Sequence, residues 1–214
     1  MSTLSRRFVI AGAAALAAFP AAAQSAPEFY PVPVEFLDGI DTLQGRVTLG
    51  NRDGDVHLIE FFDYNCGYCR RTAQEIRPLI KANPDLKFTL VNFAVLGVAS
   101  IEATRVALAF SRQKASKYLD FHEAMFARRG GKGGNQAIET AEQFGANRKQ
   151  LLKDADSEAV TQAMLAAVRM GDQFGFRATP SYLIGRDAFS GFLDMNAKTA
   201  ALAAFRQCER AVCG

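Results

Sequence analysis

The sequence predicts an α/β fold in which a small sheet is split by a long helical tract, and three observations carry that prediction. His57-Leu58-Ile59-Glu60-Phe61-Phe62 is a short apolar run with the character of a buried strand. Residues 70–81 follow with helical spacing, Ile76, Leu79 and Ile80 being apolar among Arg, Gln and Glu, and Leu86-Lys87-Phe88-Thr89-Leu90-Val91 then alternates as a strand should. Strand, helix and strand make a parallel crossover. From residue 99 to about 175 only helical stripes appear, and strand signals return at Ser181.

Taken in order, residues 1–23 read as an export signal. Arg6-Arg7 form the basic start, residues 8–19 an alanine-rich apolar stretch, and Ala21-Ala22-Ala23 a small-residue cleavage site. The apolar stretch is shorter than the roughly 20 residues a bilayer span needs. Ser5-Arg6-Arg7-Phe8-Val9-Ile10 also has the form of a twin-arginine signal, and an ordinary secretory signal fits equally. Either route ends in an oxidising compartment, expected here to be the periplasm. Residues 24–33 hold three prolines and predict a flexible start. Val34-Glu35-Phe36-Leu37 and Val47-Thr48-Leu49 are expected short strands on either side of an Asp38-Gly39 turn, and residues 50–54 turn the chain into the central strand.

Asn83-Pro84 ends the first helical pattern. The helical tract carries four stripes: Ile101, Ala103, Val106, Ala109 and Phe110; Tyr118, Phe121, Met125 and Phe126; Ile138, Ala141 and Phe144; and Val160, Met164, Ala167 and Val168. Ser181-Tyr182-Leu183-Ile184, a turn at Gly185-Arg186-Asp187 and a second short strand through Phe192 predict a hairpin. Asp194 can cap a closing helix that runs to about Cys208.

Composition bounds what such a chain does. At 214 residues, 49% of them apolar, it can bury a sizeable core. The net charge of +3 includes Arg6 and Arg7; without them 23 basic residues face 22 acidic ones. A near-neutral protein offers no footprint for nucleic acid or an anionic membrane.

The chemistry points to Cys66 and Cys69, two positions apart directly after the first strand. Cys66 is expected at the start of a helix, where unpaired N–H groups and the positive end of the helix dipole stabilise a thiolate. Such sites lower a cysteine pKa from about 8.5 into roughly the 3.5–7.5 range. Cys69, a turn further in, is expected to be more buried and to act as the resolving thiol. Glu60 lies in the apolar strand, where burial raises a carboxyl pKa and suits it to shuttle a proton for Cys69; strand alternation could instead put it at a solvent-facing edge. Two thiolates are also half of a zinc or copper(I) site. The remaining candidates, Cys208, Cys213, His57 and His122, form no second C-x-x-C, so no metal and no cofactor is expected. His122 reads as a packed or surface helix residue. Gly130-Gly131-Lys132-Gly133-Gly134 lacks the Ser or Thr of a phosphate loop and reads as a helix connector. Cys208 and Cys213 form a separate pair, a structural disulfide or a second redox site.

Phe61-Phe62-Asp63-Tyr64-Asn65-Cys66-Gly67-Tyr68-Cys69, with Glu60 six positions before the first cysteine, resembles the DsbA branch of the thioredoxin superfamily. Ala178-Thr179-Pro180-Ser181-Tyr182-Leu183-Ile184-Gly185 is similar to that family's cis-proline loop and the strand after it. The resemblance implies a thioredoxin-like fold with a helical insertion domain. Its divisions are a signal at 1–23, an N-terminal segment with first strands at 24–54, a thioredoxin-like domain at 55–98 and 176–214, and inserted helices at 99–175. It also implies a cis bond between Thr179 and Pro180 that presents the Thr179 backbone to an extended client. The implied activity is thiol–disulfide oxidoreduction on unfolded or thiol-containing periplasmic proteins, with reoxidation by a membrane redox partner. Oxidase is the leading direction. Isomerase or reductase is the alternative within the fold, and a cysteine-based metal-binding protein the alternative outside it. The stretch before the catalytic motif is too short for the helical stalk through which some relatives assemble, so a monomer is expected.

Overall fold

The computed structural model describes residues 27–214, so the expected export signal lies outside the described residues. Six strands, β1 (Tyr30–Pro31), β2 (Val47–Gly50), β3 (Val56–Phe62), β4 (Leu86–Asn92), β5 (Ser181–Ile184) and β6 (Asp187–Ser190), form one sheet. Their order is β1-β6-β5-β3-β4-β2. β3 sits inside, parallel to β4 and antiparallel to β5, with Glu60 opposite Leu90 on one side and Tyr182 on the other. A strand with neighbours on both edges and helices on both faces buries every second residue on each side, which is why β3 reads as a continuous apolar run.

Alternation divides the core. Leu58 and Phe62 point into the larger cluster, with Cys69, Ala73 and Leu79 from the helices after β3 and Leu202 from the closing helix. Ile59 and Phe61 point to the other face, against Val91, Phe93, Phe174 and Phe176. Glu60, between Ile59 and Phe61, therefore points to the face of the two cysteines and is 1% exposed.

The crossover from β3 to β4 is two helices, α1 (Gly67–Ala73) and α2 (Ile76–Ala82), where sequence spacing predicted one. Pro78 explains the break. It has no N–H for the Gln74 carbonyl, and its ring clashes there in a continuous helix. Between β4 and β5 stand five helices, α3 (Val98–Gln113), α4 (Tyr118–Ala127), α5 (Gly134–Gln143), α6 (Arg148–Ala155) and α7 (Glu158–Gln173). Four match the predicted stripes. α6 escaped the reading because only Leu151 and Ala155 are buried in it, too few for a stripe; Asn147 caps it by accepting from Gln150 N–H at 2.9 Å. Among the described residues no helix is long and apolar enough to cross a membrane.

Two N-terminal expectations are corrected. Residues 34–37 are not a strand: Val34–Phe36 form a short 3-10 turn after Pro33, and among the described residues no strand pairs with them. The Pro-rich start, in its described part, is tied down. Tyr30–Pro31 pairs with β6, Val32 N–H bonds Arg186 O at 2.8 Å, and the Tyr30 hydroxyl donates to Phe174 O at 3.0 Å.

Asp194 caps the closing helix α8 (Met195–Cys208), its side chain accepting from Ala197 N–H at 2.8 Å. The end of the chain folds back on the sheet. Cys208 and Cys213 are joined by a disulfide, and the buried Asp187 carboxylate accepts from Arg210 and from Ala211 N–H at 2.7 Å.

Phe61 is fully buried, with its ring edge-on to Phe93, Phe174 and Phe176 at centroid distances of 5.8, 5.9 and 5.0 Å. Phe61→Ala empties the junction of sheet and α7, and a loss of about 3–5 kcal/mol is expected in urea unfolding. A loss under about 1 kcal/mol would mean that this face does not hold α7 to the sheet.

Candidate active site

Past the three residues that follow β3, the chain reaches Cys66, the N-cap of α1, with extended backbone (φ −81°, ψ 123°). Its sulfur stands where a capping oxygen normally would and accepts from Cys69 N–H at 3.3 Å. From the other side comes the loop before β5. The Thr179–Pro180 bond is cis, and the Thr179 carbonyl accepts from the Cys66 thiol at 3.0 Å. Residues 113 positions apart are thus brought into contact by the pairing of β3 with β5.

These contacts set the protonation state. The Cys69 thiol donating to Cys66, the Thr179 side chain and the backbone N–H groups of Cys69 and Tyr68 together outweigh burial and bring Cys66 down to about 6. Cys69 goes the other way. Burial pushes its thiol far up, and the hydrogen bond to Cys66 and the charge of Glu60 add to it. The two sulfurs are free thiols in the structure, one readily ionised at a helix end and one held protonated behind it.

Glu60 lies beneath them. Burial raises its pKa, opposed by the Lys198 ammonium and by a hydrogen bond with Thr72. Thr72 Oγ1 is 2.6 Å from Glu60 Oε1 and 3.0 Å from Cys69 O. A threonine hydroxyl has one proton to give. Both contacts are therefore made at once only when Glu60 is protonated and donates to Thr72, which then donates to the Cys69 carbonyl. When Glu60 is ionised the hydroxyl must turn to it. The inner carboxyl oxygen, Oε2, has no partner, which also favours the neutral acid. Behind Glu60 the Lys198 ammonium, 1% exposed, pairs with Glu75 at 2.7 Å and sits 5.3 Å from the Tyr182 ring centre. Glu75 reaches it from the α1–α2 break that Pro78 imposes.

The surroundings are fixed by Asp63. Its carboxylate is 1% exposed and accepts four hydrogen bonds: Asn65 N–H at 2.8 Å, the Ser100 hydroxyl at 2.6 Å, and Val95 and Leu96 N–H at 2.9 and 3.0 Å. That one side chain ties the turn before Cys66 to the β4–α3 loop. Asn65 ties it to the glycine-rich connector, its amide accepting from Lys132 N–H at 2.7 Å and donating to Lys132 O at 2.9 Å. The connector is docked beside the site, and burial with the Arg70 charge holds the Lys132 ammonium below the usual lysine range. At the surface Tyr68, 56% exposed, lies 5.3 Å from Phe192, with the Arg71 guanidinium 5.8–5.9 Å from both rings. Val95 and Leu96 on the loop that Asp63 holds, and Val98 at the start of α3, stand exposed.

The five residues singled out from sequence, Cys66, Cys69, Glu60, Thr179 and Pro180, thus converge on one site. His122 is elsewhere: buried against Phe62 and Phe126, held neutral by burial at about 3, and part of the aromatic core. Sequence reasoning missed Asp63, Thr72 and Lys198. Asp63 had a signal, an acid two residues before a turn amide in an otherwise aromatic run. Lys198 had one too, since it falls on the apolar stripe of α8 with Met195, Ala201, Leu202 and Phe205. Thr72 had none.

Comparison with known proteins follows this geometry. The model of a family described as thioredoxin matches residues 42–204. A crystal structure of a thioredoxin-like oxidoreductase from Silicibacter pomeroyi DSS-3 is 32% identical, covers 79% of this chain and 98% of its own, and superposes with a TM-score of 0.73. The thiol-disulfide exchange protein alpha-DsbA2 from Wolbachia pipientis is 25% identical, with 80% and 92% covered and a TM-score of 0.73. Disulfide bond formation protein D of Bacillus subtilis (strain 168) is 23% identical over 171 residues, 74% of this chain and 76% of that one.

With the Cys66 pKa lowered from 9.0, its thiolate stabilises the reduced fold fully above pH ~9, and the contribution fades as pH falls and is gone below about 6. Thiolate ultraviolet absorbance of the reduced protein should therefore titrate with a midpoint near 6. In Cys69→Ala the midpoint should rise, because the largest stabilising hydrogen bond is lost. A wild-type midpoint at the ordinary thiol value would remove the helix-end argument.

Proposed function

Because this chain belongs to the thioredoxin family, we propose that Cys66 and Cys69 form its redox couple and that it introduces disulfide bonds into exported proteins. Disulfide chemistry is what relatives are named for. What carries the direction is the Cys66 sulfur at the N-cap of α1, accepting from Cys69 N–H at 3.3 Å, a place that favours the thiolate. Stabilising the thiolate of the reduced enzyme by about 1 kcal/mol at pH 7 makes the oxidised enzyme the better electron acceptor.

In the proposed cycle a client thiolate attacks Cys66 of the Cys66–Cys69 disulfide. The client–Cys66 bond forms, the Cys66–Cys69 bond breaks, and Cys69 leaves with the electron pair. Burial holds its pKa far above neutrality, so it takes a proton at once, and we assign the buried Glu60, whose charge acts on Cys69, as the source. A second client thiolate then attacks the client sulfur of the mixed disulfide, and Cys66 departs as a thiolate already stabilised by its helix end. The client loses two electrons and the enzyme becomes the dithiol. Thr179 supports client docking by position: its carbonyl touches Cys66, and among the described residues its N–H has no acceptor, leaving it for an extended client strand. Tyr68, Phe192 and the exposed Val95, Leu96 and Val98 offer apolar contact to unfolded chains.

Export rests on the signal-like residues 1–23, and the Cys208–Cys213 disulfide suits an oxidising compartment such as the periplasm. The dithiol must be reoxidised by an acceptor outside this chain, which we assign to a membrane redox protein. The helical block between β4 and β5 is taken as the inserted domain, residues 99–175.

Cys69→Ala with Cys66 first capped as a mixed disulfide with glutathione should pass that bond to a reduced client, glutathione leaving as the thiolate, and accumulate client–Cys66 mixed disulfides separable on non-reducing gels, and Cys66→Ala none. Capture of reduced, newly exported clients by the capped form supports oxidation; no such capture, with only disulfide-bonded clients held by the uncapped thiol, would overturn that direction. Glu60→Gln should slow proton-coupled turnover of Cys69 by roughly 10²-fold in single-turnover exchange. It should also stabilise the protein at neutral and alkaline pH, because a raised carboxyl pKa costs the native state progressively as pH rises through it. Unchanged exchange rates would remove Glu60 from the proton path.

A further inference from the structure

Away from both cysteines, the segment 39–46 lies across the C-terminal half of α3 and along α7. It lies close. At Gly45 (φ +80°) an added Cβ would come within 2.6 Å of Leu108 Cδ2, and at Gly39 within 3.0 Å of Met170 Cε. Between this segment and the two helices runs an open cleft of about 680 Å³. None of Cys66, Cys69, Thr179 or Pro180 lines it.

Two features of the cleft point to a ligand. Among the described residues its cations are three arginines, Arg46 before β2, Arg112 near the end of α3 and Arg169 on α7, and no carboxylate lines it. Among the described residues none of the three is in an ion pair, although ten other cationic side chains are. Asp41, whose carboxyl feels Arg46, is engaged by Lys87 at 3.1 Å and does not line the cleft. Arg46 is held in place by donating to Leu43 O at 2.9 Å, which leaves its other donors unspent. Beneath the arginines the floor is apolar, from Leu43, Leu108 and Met170, which are buried.

A guanidinium group matches a carboxylate through two parallel hydrogen bonds, and an apolar floor rewards an aliphatic body. The volume falls in the roughly 300–1,000 Å³ range of small-ligand sites. We propose that this cleft binds a single-chain amphiphilic carboxylate, a fatty-acid-like anion, with its head on the arginines and its chain along the floor. The site stands apart from the redox couple and does not depend on the function assigned to it.

Isothermal titration of the folded protein with dodecanoate, kept below its aggregation concentration, tests this. Expected are saturable one-to-one binding, no comparable binding of dodecyltrimethylammonium, which has the same chain and the opposite charge, and far weaker binding of acetate. Arg112→Glu/Arg169→Glu changes two exposed helix residues, so it should keep its circular dichroism and its thiol-exchange rate while binding dodecanoate at least roughly tenfold more weakly. Failure of dodecanoate to saturate, equal binding of the cationic chain, acetate binding as tightly as dodecanoate, or unchanged affinity in the folded variant would each overturn the proposal. The comparison of the two chains on the wild-type protein decides the matter even if the variant does not fold.

Discussion

The architecture turns on one arrangement: a sulfur at the N-terminus of α1, in the place of a capping oxygen, with the carbonyl before a cis proline against it. A helix end supplies N–H groups that no backbone carbonyl can satisfy, and a charged sulfur satisfies them. For this to hold, α1 must leave the sheet directly after β3 and the Pro180 loop must arrive beside it. The antiparallel pairing of β3 with β5 does the second, so the sheet serves the site as a register-setting device.

The same pairing creates an asymmetry between the two sulfurs. Cys66 is placed where charge is favoured, and Cys69 one turn deeper where burial forbids it. Glu60 belongs to this second environment. On a central strand, facing α1, it cannot reach water, and its hydrogen-bond geometry through Thr72 to the Cys69 carbonyl closes only in the neutral form. Behind it the Lys198 ammonium opposes the burial effect, while its partner Glu75 adds to it. In the proposed exchange, protons and electrons thus travel on opposite sides of α1: the client meets Cys66 at the surface, and Cys69 is served from below.

The helices between β4 and β5 do more than enlarge the core. Ser100 at the start of α3, the β4–α3 loop and the connector before α5 are all fastened to Asp63 and Asn65, the residues that lead into Cys66. The turn ahead of α1 therefore depends on groups from residues 95–100 and from the connector before α5. Farther along α3 and α7, Arg112 and Arg169 join Arg46 over an apolar floor, without an ion pair among the described residues and on a face away from Cys66 and Cys69.

By itself, the sequence determined the local events. The apolar run of β3, the C-x-x-C at a helix start, the cap at Asp194 and the pairable cysteines near the end are dictated by neighbouring residues, so short-range physics suffices to place them. Tertiary structure decided whatever depends on which surfaces meet. It resolved Glu60 from a possible edge residue into a buried acid, because β3 acquired partners on both sides. It placed Thr179 against Cys66, 113 positions away, and brought Lys198 from α8 under the sheet. It also separated α1 from α2 around Pro78, hid α6 behind a nearly polar sequence, and turned residues 34–36 into a 3-10 turn that no described strand pairs with. A side chain's partner across the core follows from register and packing, and neither is encoded within the few residues around it.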